Sequence, residues 1–112
     1  MKMNVDKDTE QKIAQLQMFE QNLQNFHMQK QNFSNQVLEI ENAIEELNKS
    51  KDDAFKLVGN IMLKKDKKDL IKDLESKKEV LDLRVKNIEK QENQIKDKAK
   101  GIRDDVMKKL EK

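Results

Sequence analysis

Cysteine, proline, tryptophan and tyrosine are all missing from this 112-residue chain, which holds two glycines and four phenylalanines. Without cysteine there is no disulfide, no thiol nucleophile and no thiolate metal site, a composition that suits a reducing compartment. Without proline, helices can run long without a built-in break. Aromatic residues at 4% beside charged residues at 41% describe solvated helices better than a packed globular core, so an enzyme fold is not expected. Charge of a single sign is also lacking: 24 Lys and Arg are interleaved with 22 Asp and Glu, leaving +2 and no electrostatic case for nucleic acid. No apolar run approaches the roughly 20 residues that cross a bilayer. Met1-Lys2-Met3-Asn4 leads into acidic sequence rather than a signal-peptide core, and the expectation is a soluble, cytoplasmic protein with no membrane partner.

What the chain does have is two long heptad series. From Leu16, apolar residues recur at steps of three and four through Phe19, Leu23, Phe26, Phe33, Val37, Ile40, Ile44 and Leu47, with Lys30 as the break. A second series runs from Ile71 through Leu74, Leu81, Val85, Ile88, Ile95, Ala99, Ile102 and Val106, interrupted by Lys78 and Glu92. Such spacing places one apolar seam along each helix, the pattern of a coiled coil. Helix one is expected over about residues 5–49, starting near Asn4 to Asp8 where Asn and Asp can cap, and helix two over 66–111, with Asp66 as its cap and Asp69 in its first turn. Each would extend roughly 65 Å at about 1.5 Å per residue, giving a rod.

Between the helices, Ala54-Phe55-Lys56-Leu57-Val58-Gly59-Asn60-Ile61-Met62-Leu63-Lys64 loses the helical period and sets Gly-Asn between two short apolar runs. That is the signal of a two-residue β-hairpin over 54–64. The chain must then fold back, so the helices run antiparallel and residues whose numbers sum to about 118 face each other. Lys30 falls within reach of Glu89 and Glu92. In the hairpin, Val58 and Ile61 share one face with Lys56 and Leu63, and Leu57 and Met62 share the other with Phe55 and Lys64. Both faces are largely apolar. Two helix ends about 10 Å apart cannot cover two faces and two edges, so Phe55, Leu57, Val58, Ile61, Met62 and Leu63 are expected to mediate oligomerisation.

Isolated features have plainer readings. His27 has no second His or Cys to complete a metal site and belongs to a solvated flank. Gly101 costs about 1 kcal/mol inside a helix and marks loosening toward the distal end. Lys64-Lys65-Asp66-Lys67-Lys68 lacks the aromatic or glycine-rich surroundings of a phosphate site and reads as a solvated connection. No catalytic carboxylate pair, Ser/His arrangement or phosphate loop stands apart from the heptads, and neither an enzyme nor a cofactor is expected.

The segment Phe55-Lys56-Leu57-Val58-Gly59-Asn60-Ile61-Met62-Leu63-Lys64-Lys65-Asp66, between equal coiled-coil arms, resembles the β-type subunit of the prefoldin family, particularly its archaeal form. Gln-rich helix one and Leu81-Asp82-Leu83-Arg84 add to the likeness, which covers almost the whole chain as one prefoldin-like domain, 1–112. A single hairpin points to the β-type, since α-type subunits carry two. The resemblance implies a mostly α fold, a long antiparallel two-helix coiled coil whose central β-hairpin joins an intersubunit β-barrel. It also implies an ATP-independent holdase built from two α-type and four β-type subunits, which captures unfolded client proteins at the coiled-coil tips and passes them to a group II chaperonin. Client contacts would then fall on Met1, Met3, Val5, Ile13 and Leu16 from helix one and Ile102, Val106, Met107 and Leu110 from helix two. Flexible Met and aliphatic side chains suit that role because they repack around varied apolar targets. Ile13, Leu16, Ile102 and Val106 would equally continue the seam. From another class, a structural coiled-coil adaptor or filament component could use the same hairpin to self-associate.

Overall fold

The computed structural model describes residues 6–111. In chain order it has helix α1 (Lys7–Lys49), strand β1 (Ala54–Val58), strand β2 (Ile61–Lys65) and helix α2 (Lys67–Leu110). It divides into two compact units: the described part of Met1–Lys30 with Asn87–Lys112, and Gln31–Lys86.

Local chemistry sets the element boundaries. Asp6 caps α1, its Oδ1 accepting the Thr9 N–H at 2.7 Å, and Asp8 and Glu10 place negative charge in the first turn, where the helix dipole favours it. At the other end Ser50 N–H still donates to Glu46 O. Ser50 Oγ then takes the Asp52 N–H at 3.1 Å and turns the chain out of the helix. Asp66 caps α2 as expected, accepting the Lys68 N–H at 3.0 Å. The Lys67 ammonium donates to the Ser50 carbonyl, tying the start of α2 to the end of α1. Through Gly101, α2 continues without a break to Leu110, so the loosening expected there is not seen.

The seam follows the heptads. In α2, all the positions from Ile71 to Val106 named in the second series, polar interruptions included, are buried or half-buried, with Leu81, Ile88, Glu92, Ala99 and Val106 most enclosed. In α1 the named positions are all half-buried, and the seam continues past Leu16 through Ile13 to Thr9, which is 2% exposed. Among the described residues no large side chain is fully buried, as expected when each helix contributes only a stripe.

The hairpin has the expected register: Val58 opposes Ile61, Leu57 opposes Met62, Lys56 opposes Leu63 and Phe55 opposes Lys64. It extends one pair further, Ala54 to Lys65. Gly59 has φ +61° and no other described residue has positive φ, which places glycine at the first turn position and gives a type II′ turn.

Candidate assembly and client-binding surfaces

Two surfaces stand out, one in each unit. In the unit 31–86, the hairpin residues Phe55, Leu57, Val58, Ile61, Met62 and Leu63 are 43% to 68% exposed. Their alternation puts Phe55, Leu57 and Met62 on one face and Val58, Ile61 and Leu63 on the other, and neither face is closed over by the chain's own helices. Ala54, the first strand residue, is the buried one. Where hairpin and helices meet, a groove of about 640 Å³ is lined by Leu47, Phe55, Leu57, Leu70 and Leu74, with Lys77 and Asp73 among its polar members. A two-stranded sheet with open edges and two apolar faces is a template for further strands and gains stability by pairing.

Charged side chains of this unit find local partners. Lys78 Nζ lies 3.1 Å from Glu41 Oε1, and that contact holds the lysine above its ordinary value. The Arg84 guanidinium sits 5.8 Å from the centre of the Phe33 ring, within cation–π range. Lys64 pairs with Asp53 at 3.3 Å, so part of the basic cluster is taken up locally.

In the other unit, Lys30 Nζ donates to Glu92 Oε1 at 2.9 Å, bringing together the two polar interruptions of the seam. The Glu92 side chain is only 9% exposed, and Lys30 is raised above its ordinary value chiefly by this hydrogen bond, against the opposing effect of burial. A charged pair at this depth fixes helix register, because sliding either helix would leave an enclosed carboxylate without a partner.

The far end of the same unit holds the residues expected to meet clients. Met107 is 54% exposed and Leu110 41%, whereas Val106 is buried and Ile13, Leu16 and Ile102 are half-buried in the seam. Met1, Met3 and Val5 lie outside the described residues. Close by, Lys109 Nζ is 2.9 Å from Asp8 Oδ2 and 3.6 Å from Asp6 Oδ2, and Lys12 Nζ is 3.4 Å from Asp8 and 3.8 Å from Asp105. Hydrogen bonding from Thr9 lowers the Asp6 carboxyl, hydrogen bonding from Lys109 lowers that of Asp8, and Lys109 is raised in return. This network was not anticipated from the sequence. Its signal is the matched spacing Asp8 to Lys12 and Asp105 to Lys109, which the antiparallel register brings opposite each other.

Among the described residues no group of His, Cys, Asp and Glu could hold a metal ion, and no helix is long and apolar enough to cross a membrane. His27 is exposed.

Residues 10–112 match the family described as prefoldin subunit. The chain is 38% identical over 88 residues to prefoldin subunit beta of Archaeoglobus fulgidus, covering 77% of this chain and 76% of that one. It is 35% identical over 101 residues to prefoldin subunit beta of Methanothrix thermoacetophila, covering 88% and 84%. The crystal structure of the prefoldin beta subunit from Thermococcus strain KS-1 is similar with a TM-score of 0.90 at 25% identity, over 97% of each chain. Two heptad arms, a capped turn into each helix and one central apolar hairpin thus agree with the sequence relationships, and the chain belongs to the prefoldin subunit family of chaperones.

Proposed function

We propose that this chain is the β-type subunit of an ATP-independent holdase, acting as one prefoldin-like domain over residues 1–112. The observation that carries the assembly half of this reading is the hairpin: six apolar side chains exposed on both faces of a two-stranded sheet whose edges are open. Such a surface is stabilised by strands from other subunits, and the partner chemistry is another prefoldin hairpin. The assembly proposed is a hetero-hexamer of two α-type and four β-type subunits joined in an intersubunit β-barrel, working in the cytoplasm.

Client capture belongs to the helix ends in the other unit. Met107 and Leu110 offer exposed, flexible apolar side chains, and Met1, Met3 and Val5 are proposed beside them, whereas Ile13, Ile102 and Val106, expected at the same surface, lie in the seam. One tip presents little area, so affinity comes from several arms holding one unfolded chain at high effective concentration. Held clients pass to a group II chaperonin. No nucleotide, cofactor or catalytic step enters this scheme.

The test is aggregation suppression by this chain assembled with an archaeal α-type prefoldin subunit, using several unrelated denatured proteins. Protection of all of them without ATP is the expected result. Stable capture of one defined partner with no effect on aggregation would instead identify a structural adaptor.

A further inference from the structure

The five charged residues at the tip form one continuous network, Asp6 to Lys109 to Asp8 to Lys12 to Asp105, which joins α2 to α1 through two ion pairs and to the cap residue Asp6 through a third. Its placement is specific. Asp8 and Lys12 lie one turn apart on α1 and bracket Thr9, while Asp105 and Lys109 lie one turn apart on α2 and bracket Val106. Thr9 and Val106 are among the most enclosed residues of the molecule, at 2% and 6% exposure. The charges thus close over the last layers of the seam and leave Met107 and Leu110 outside it.

We propose that this network is a clasp that limits how much apolar surface the tip offers to clients, and that opening it adds the seam residues Val106, Ile102 and Ile13 to the binding surface. The inference rests on the tip reading above and adds Lys12 and Lys109 as residues that set the strength of capture without touching the client. Each pair is solvent-exposed and therefore weak, which suits a clasp that must open. An unfolded segment rich in large aliphatic or aromatic side chains is the partner that gains from the opening, because it replaces the seam contacts that the helices give up. The last turns of a helix are also where opening costs least.

The test uses chains assembled with an archaeal α-type prefoldin subunit and two readouts, amide hydrogen exchange and aggregation suppression. Lys12→Gln with Lys109→Gln removes all four ion pairs. The expected result is several-fold faster exchange across residues 102–110, as for a released helix end, together with half-maximal protection at a lower chaperone concentration. Asp8→Asn with Asp105→Asn moves net charge in the opposite direction, leaves only the Asp6–Lys109 pair and is expected to give a gain of the same sign, which separates the clasp from bulk charge. Lys12→Arg with Lys109→Arg keeps the pairs and is expected to behave as the parent.

Unchanged exchange in the Gln variant would overturn the clasp, as would faster exchange with unimproved protection. Faster exchange reaching back along α2 to Leu81 would also overturn it, since the clasp acts on the final turns. Removing residues 1–5 together with Met107→Ser and Leu110→Ser, which leaves Lys109 and its ion pairs in place, separates the two readings. Lost protection in that variant with no gain in the Gln variant rejects the clasp and keeps the tip as the client site, while retained protection rejects the tip reading and the clasp with it.

Discussion

At the scale of single residues, the polar exceptions matter more than the apolar rule. Lys30 and Glu92 interrupt two otherwise regular heptads, and they meet at 2.9 Å with the glutamate enclosed. A double-mutant cycle on Lys30→Met and Glu92→Gln should give a coupling of about 1 kcal/mol in thermal unfolding, the upper end of what exposed pairs deliver. Additive effects would show that the pair does not fix the register. Gly101 is the opposite case, because a Cβ there meets nothing within 4 Å. Gly101→Ala should therefore raise stability by about 0.5–1 kcal/mol through helix propensity, read as a higher unfolding midpoint.

The charged groups also define a pH window. Asp6 and Asp8 are lowered from 3.8, so their contribution is complete above that value and is lost as pH falls through their lower folded values. Lys30, Lys78 and Lys109 are raised from 10.5, so theirs is complete below 10.5 and is lost as pH rises through the higher folded values. Helical stability followed by circular dichroism should be flat with respect to these groups between pH 3.8 and 10.5 and decline on either side. A titration midpoint near neutrality would point to a different group.

At the scale of elements, the seam and the hairpin were legible for different physical reasons. A 3.5-residue repeat maintained over more than 30 residues leaves one way to bury it, and antiparallel register followed from the short connection. The Gly59-Asn60 pair fixed the hairpin because glycine alone takes positive φ without strain, and Gly59 is found at +61°. Less legible was the end of α1. Thr9 is polar and does not register in an apolar count, yet its position continues the heptad and its N–H is tied to Asp6, so it closes the seam. The tip network escaped for a related reason: its partners are about a hundred residues apart and meet only once the register is carried past Leu16. Ile13, Ile102 and Val106 were readable as seam or as client surface, and the half-burial of the first two and the burial of the third place them in the seam. The hairpin makes the strongest prediction at this scale. Val58→Asp with Ile61→Asp places unpaired charge on the proposed barrel, at a cost of roughly several kcal/mol, while both helices keep their own hydrogen bonds and caps. Sedimentation should show loss of the hetero-oligomer with helical content retained. Unchanged assembly would remove the hairpin as the joining surface.

For the molecule as a whole, the two surfaces separate two tasks. On the proposed function, apolar strands in one unit serve assembly and the helix ends in the other serve capture, so each task should be removable without the other. The most direct measurement compares the intact assembly with one lacking residues 1–5 and 106–112, at equal concentration, in aggregation of a denatured client with and without ATP. The truncation removes Met1, Met3, Val5, Val106, Met107 and Leu110 and leaves the hairpin and the Lys30–Glu92 pair in place. The predicted result is an assembly of unchanged subunit number that loses most protection, with ATP making no difference to either form. Equal protection by both, or a requirement for ATP in the purified system, would contradict it.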